Sequence, residues 1–244
     1  MKEKDVKRAA KKHYTQAATK GTCCCGDASD VDISKTLGYA DQDLTKFSNA
    51  NLGLGCGNPT GLGKIREGET VLDLGSGAGL DCFLAARKTG PAGHVIGVDM
   101  TEAMIEKARK NAATYWFSNV EFRHGDIDSL PVDKESVDVI ISNCVINLAP
   151  NKSKVFTEAY RVLKHGGRMY ISDIVLLEEL TPEQKNDVDL LTGCVSGAEL
   201  RDDYITMIKD AGFAVTILVE NTTISIQQYH GIPLESLTVE ARKP

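Results

Sequence analysis

From residue 65 to about residue 217, short runs of β-branched and apolar residues alternate with segments whose apolar positions recur at helical spacing. Such alternation marks βαβ units and a mainly parallel sheet, because parallel strands need a crossover and a helix usually supplies it. The pattern predicts strands at 70–75, 94–99, 120–124, 137–142, 168–174, 214–221 and 236–242. Helices are predicted near 80–89, 101–114, 151–164, 181–192 and 199–211. Thr181, Pro182 and Gln184 offer a hydroxyl cap, a preset first turn and a capping-box partner, while Gly166 and Gly167 are expected to stop the third helix. The expected fold class is α/β, a doubly wound sheet of seven strands.

Residues 1–50 stand outside the alternation and read as helical stretches around the run Cys23-Cys24-Cys25. Residues 51–63 hold five glycines in thirteen positions, too many for a helix or a central strand, so this is a loop that approaches something closely. Two regions are expected, a helical segment at 1–50 with its cysteine cluster and one α/β domain at 51–244.

Composition narrows the function classes. With 42% hydrophobic and 25% charged residues, 22 glycines and 7 prolines, the chain is not collagen-like, disordered or a disulfide scaffold. The first twenty residues carry seven basic and two acidic groups and no apolar run, so they form no signal peptide, and a cytoplasmic, reducing compartment is expected. No stretch is long and apolar enough to suggest a membrane span. The net charge of −6 becomes −11 once that basic arm is set aside, which argues against nucleic acid as a partner and for an exposed basic helix end. The seven cysteines are an odd number and, in a reducing compartment, should be thiols.

The first predicted strand runs into Gly75-Ser76-Gly77-Ala78-Gly79 and then a helix. Glycines there let backbone pass close to a ligand, and the helix amino end offers free N–H groups. Asp99 ends the second strand, placed to accept ribose hydroxyls, and Gly125-Asp126-Ile127 follows the third at the same sheet edge. The spacing G-x-G-x-G departs from the dinucleotide pattern and favours a nucleoside bearing an amino acid.

The segments VLDLGSGAGLDCF, VIGVDMTEAM, HGDIDSLP and RVLKHGGRMYISD resemble the class I S-adenosylmethionine-dependent methyltransferases across roughly residues 63–175. That resemblance implies a Rossmann-like sheet whose last strand is antiparallel, with helices on both faces. It also implies S-adenosylmethionine as cofactor, bound through Asp73, Gly75, Ser76, Gly77 and Gly79 on the methionine side, Asp99 at the ribose, and Met100, Asp126 and Ile127 around the adenine. Plain core packing of Met100 and Ile127, and helix capping by Asp99, are the alternatives.

The acceptor site belongs at the carboxyl ends of the strands. Cys144 sits there, after Asn143, a position that faces the cofactor methyl in this architecture, and no Asp or His constellation offers a general base. Cys56 lies in the glycine-rich loop and Cys194 follows a predicted helix; Cys82, on an apolar helix face, reads as packing. Zinc sites usually show local cysteine pairs, whereas three isolated thiols suit a three-coordinate ion such as trivalent arsenic, whose lone pair is itself a nucleophile.

LGCGNP around Cys56, SNCVINL around Cys144 and TGCVSGAEL around Cys194 resemble the cysteine motifs of the arsenite methyltransferases. The resemblance implies Cys56, Cys144 and Cys194 as arsenic ligands, and arsenite and methylated trivalent arsenicals as substrates. It also implies disulfide exchange between core cysteines and the amino-terminal cluster, with Cys24 and Cys25 as redox candidates and thioredoxin or glutathione as thiol reductant. Metal scavenging is the alternative for that cluster. Larger family members carry a further carboxyl-terminal domain, so this sequence, ending at Pro244, is expected to lack its contacts. A quinone-type C-methyltransferase and a thiol-based metalloid-sequestering protein remain the rival readings.

Overall fold

Alternate residues of the central strands enter two different cores. A computed structural model describes residues 3–20 and 30–244. In it Leu72 and Leu74 pack with Val155, Phe156 and Tyr204, whereas Val71, the residue before Leu72, packs with Phe83, Ile105 and Phe47. Both faces of the sheet are therefore covered, which is why its strands read as nearly continuous apolar runs.

All seven predicted strands are present: β1 (Thr70–Leu74), β2 (His94–Asp99), β3 (Val120–His124), β4 (Val137–Asn143), β5 (Leu163–Leu176), β6 (Ala214–Asn221) and β7 (Leu234–Arg242). Their order is β3-β2-β1-β4-β5-β7-β6. Every pairing is parallel except those of β7, which runs antiparallel to β5 and β6. The order reverses between β1 and β4, so a crevice opens at their carboxyl ends.

The described helices are α1 (Glu3–Lys20), α2 (Asp30–Thr36), α3 (Asp41–Lys46), α4 (Pro59–Leu62), α5 (Leu80–Thr89), α6 (Glu102–Thr114), α7 (Lys152–Val162), α8 (Pro182–Lys185), α9 (Val188–Thr192), α10 (Arg201–Asp210) and α11 (Thr223–Gln228). None is long and apolar enough to cross a membrane.

Three boundaries differ from the pattern. Leu163 is already extended, so α7 stops before the glycines; Gly166, at a φ of 75°, lies within β5 where the register to β4 is irregular. The helix predicted at 181–192 is two helices. The Thr181 capping box starts the first, and Asp187, in extended conformation, caps the second through the N–H groups of Asp189 and Leu190. The glycine-rich loop contains one helical turn, α4, opened by Asn58, whose side chain accepts from Gly61 N.

The basic amino-terminal helix is not an exposed arm. Ala10 and Ala17 are buried, and Lys7 Nζ reaches Asp126 Oδ2 at 2.6 Å and Asp128 Oδ2 at 2.8 Å. Tyr14 OH donates to Thr192 O at 3.1 Å, so α1 spans the crevice from the β3 side to α9.

Phe83 anchors the second core. It is fully buried, stacked on Phe117 at 5.0 Å between ring centroids, and meets Tyr115 and Phe122 edge-on. Truncation would leave a cavity walled by rings that cannot collapse together. Phe83→Ala is expected to cost about 3–5 kcal/mol in urea unfolding, against under ~1 kcal/mol for the exposed Trp116→Ala.

Candidate functional site

The turn after β1 is drawn against β2, with Gly75 N and Ser76 N both donating to Val98 O. Gly77, at a φ of 51°, has open space where a side chain would project. Its N–H donates to Asp99 Oδ2 at 3.0 Å, and Thr101 N donates to Asp99 Oδ1 at 2.8 Å. Asp99 thus holds the N–H of Thr101, the residue that opens α6, and also lines the cavity beside it.

That cavity, about 710 Å³, is walled by Gly75, Gly77, Asp99, Met100, Asp126 and Ile127 at one end and reaches Cys144 at the other. Lys7 and Tyr14 of α1 complete its wall. A neighbouring cavity of about 570 Å³ shares Gly75, Gly77 and Asn143 with it and is lined by Asp73, Ser76, Tyr39 and Asp81. Gly79, at a φ of 98°, instead caps α5 and packs near Phe83 and Phe122.

The second cavity is acidic without a counter-ion. Burial, with the Asp81 charge next, pushes the Asp73 carboxyl well above its usual range; burial likewise raises Asp81. No Lys, Arg or His among the described residues forms an ion pair with either. Tyr39 OH donates to Asp81 Oδ1 at 2.8 Å, and Cys82 Sγ donates to Asp73 Oδ2 at 3.2 Å, so Cys82 is a hydrogen-bond donor as well as a packing residue. Ser76 Oγ is buried with no partner. Two uncompensated carboxyls, a free hydroxyl and the open face of Gly77 fit the ammonium-bearing, sulfonium-bearing methionine half of S-adenosylmethionine.

The three cysteines that stand 88 and 50 residues apart in sequence come together. Cys144 follows β4 at a φ of 54° and Cys194 follows α9 at 66°, left-handed conformations uncommon for residues other than glycine. Cys144 N donates to Ser172 O at 2.8 Å, and the Cys56 thiol donates to the same carbonyl at 3.4 Å. The Cys194 thiol donates to Cys144 O at 2.9 Å. Through its own sulfur Cys144 is hydrogen-bonded to Cys194 on one side and Cys56 on the other. All three are buried, and Asn147 Nδ2 ties the Cys194 carbonyl to that of Ile174 on β5.

Burial raises the Cys56 thiol; the hydrogen bond to Cys144, then burial, raise Cys194 well above its ordinary value. The Cys194 hydrogen bond pulls Cys144 down, but the bond to Cys56 and burial together lift it well above. The set is therefore protonated at neutral pH. Capture of a hydroxylated ion suits such a state, since each S–H can condense with a hydroxyl ligand to give a bond to sulfur and water without net ionisation.

Asp173, Tyr39, Asp81, Lys7 and Tyr14 escaped the sequence reading. A lone carboxyl inside the apolar run YISDIV was the one available signal for Asp173. Cys24 and Cys25, with Cys23, lie outside the described residues.

A family model for a methyltransferase domain matches residues 65–212. The arsenite methyltransferase of Halobacterium salinarum is 46% identical over 98% of this chain and 67% of its own length. That of Aquipseudomonas alcaligenes is 44% identical over 66% of this chain and 49% of its own length. The crystal structure of CrArsM, an arsenic (III) S-adenosylmethionine methyltransferase from Chlamydomonas reinhardtii, aligns with a TM-score of 0.63 and 32% identity, covering 89% of this chain and 74% of that one. The chain spans 49% to 74% of the lengths of these three proteins.

Burial lifts Asp173 from 3.8 to about 7, although Tyr204 OH and Lys152 act to lower it. A carboxyl raised on folding contributes stability that is complete below its unfolded value and is lost as pH rises through its folded one. In the ligand-free chain, Asp173→Asn should therefore gain stability over the parent between about pH 4 and pH 7 and hold a constant advantage above that. Thermal melts across this range would show it; a pH-independent difference would contradict the assignment.

Proposed function

The chain belongs to the arsenite methyltransferase family of S-adenosylmethionine-dependent enzymes, and from that premise we propose that it methylates trivalent arsenic held by Cys56, Cys144 and Cys194. The observation that carries this reading is that Cys144 lies in both places at once: it is the centre of the thiol cluster and it lines the cavity of Gly77, Asp99 and Asp126. S-adenosylmethionine supplies an electrophilic methyl on a cationic sulfonium. Asp73 and Asp81 would face its methionine part, Asp99 its ribose, and Met100, Asp126 and Ile127 its adenine.

Three sulfurs leave arsenic neutral with its lone pair free, so the acceptor has no proton to lose and the site needs no general base. A neutral nucleophile meeting a cation disperses charge, which a dry site favours. The burial of all three cysteines and the wall formed by α1 supply that dryness. The transferred methyl formally leaves pentavalent arsenic. Two thiols closing a disulfide return two electrons, and an external thiol reductant of the thioredoxin or glutathione type, in a reducing cytoplasm, reopens it. Cys24 and Cys25 are the proposed partners in that exchange.

The reading is tested with labelled S-adenosylmethionine, arsenite and excess thiol, separating arsenic products by methyl count. Cys144→Ser and Cys194→Ser should abolish transfer to every arsenical. Cys56→Ser should stop transfer to arsenite and spare it to a monomethylated trivalent arsenical, which needs two protein sulfurs. Full activity of Cys144→Ser on arsenite would sink the three-thiol scheme. Binding of both ligands without any methylated product would favour sequestration instead.

Asp99→Ala removes a charged acceptor for the ribose. It should weaken S-adenosylmethionine binding by about 10- to 100-fold in calorimetric titration and leave arsenite binding unchanged. Equal loss of both ligands would make Asp99 a structural residue only.

A further inference from the structure

Asp173 follows Ser172, whose carbonyl receives the Cys56 thiol and the Cys144 N–H. Its carboxyl is fully buried. Tyr204 OH donates to Oδ2 at 2.7 Å, while Oδ1 has no hydrogen-bond partner. A carboxylate oxygen of Asp173 and the sulfurs of Cys56 and Cys144 all lie within 4.8 Å of one another, the one such group of His, Cys, Asp or Glu ligand atoms among the described residues. A pyramidal arsenic ion bound by three sulfurs has no use for an oxygen donor. Zinc-like cations do, because they prefer four donors and accept sulfur and carboxylate oxygen together.

We infer that Cys56, Cys144 and Asp173 form a three-donor site for a thiophilic divalent cation of the zinc and cadmium class, with a solvent molecule as the fourth donor, and that such a cation excludes arsenic from the sulfurs of Cys56 and Cys144. Metal–sulfur bonds of about 2.3 Å at tetrahedral angles give edges of about 3.8 Å, so the donors close by about 1 Å at most. Two metal–sulfur bonds form as the Cys56 and Cys144 thiols release their protons to solvent, and no oxidation state changes. Two thiolates and one carboxylate leave a single excess negative charge on the occupied site, and Lys152 is near enough to act on Asp173 electrostatically. Only the competition with arsenic rests on the function proposed above; the cation site itself stands on the donor set.

The test uses the full chain, reduced and in thiol-free buffer, with Cys23, Cys24 and Cys25 all replaced by serine so that core thiols alone report. Cadmium is titrated while sulfur-to-cadmium charge-transfer absorbance is followed, and arsenite is titrated into the same preparations. One cadmium per chain is expected, and the loaded protein should take up no arsenite. Asp173→Ala should weaken cadmium at least about tenfold, the scale on which metal sites respond to losing a supporting group, and shift arsenite affinity by less than about threefold. Asp173→Asn, which keeps the volume and removes the charge, should behave likewise, and S-adenosylhomocysteine binding reports that each variant is folded. Equal cadmium affinity in the parent and both folded variants would overturn the inference, as would absorbance persisting in Cys56→Ser/Cys144→Ser. If cadmium binds with this Asp173 dependence and arsenite does not bind the parent, the arsenic reading falls and the cation site remains.

Discussion

One amide side chain holds the two halves of the site in register. Asn143 Oδ1 accepts from Cys56 N at 3.1 Å and Gly57 N at 3.3 Å, while Nδ2 donates to Gly57 O and Tyr39 OH, each at 2.9 Å. Its hydrogen-bonding capacity is thus used on both sides, toward the thiol-bearing loop and toward the acidic cavity. Gly55 is required by this arrangement, because a Cβ there would stand 2.7 Å from Asn143 Nδ2. The glycine-rich loop is therefore a shaped strap rather than a slack segment, and Cys56 owes its place to an asparagine at the end of β4.

Around that pin the electrostatics divide cleanly. The cavity of Asp73 and Asp81 holds two buried carboxyls with no cation, and the cysteine cluster holds buried thiols in their neutral form. Each is costly in isolation: unpaired buried acids give up solvation, and thiols in a dry pocket resist ionisation. A ligand carrying an ammonium and a sulfonium satisfies the first, and an ion that condenses with S–H groups accepts the second as it stands. The two deficits are complementary, and Asn143 is what fixes their separation.

How much of this was legible in the sequence follows from the range of each interaction. Strand periodicity, the Thr181 capping box and the glycine turn after β1 are local, and they were read correctly from neighbouring residues. The α7 boundary and the break at Asp187 were missed because a single extended residue outweighs helical spacing on either side of it. Cys56, Cys144 and Cys194 could be singled out by their odd settings, but their meeting depends on β5 offering Ser172 O and on two left-handed turns that no spacing rule predicts. The same holds for Lys7, whose partners lie 119 and 121 residues away, so that a run of basic residues reads as an exposed arm until the acids opposite it are in place.

That long-range pairing bears on the redox half of the proposed reaction. Lys7 fixes α1 at Asp126, and Tyr14, two turns on, is hydrogen-bonded to both Thr192 O and the Cys194 thiol. The helix end at Lys20 is six residues beyond Tyr14, about 9 Å along the axis. The cysteine run follows this helix in sequence, so the proposed thiol exchange with the core would be an intramolecular encounter, with an effective concentration that a free thiol in solution would not match. The basic helix walls the cavity, and in the proposed reaction the exchanging thiols belong to the sequence that follows it.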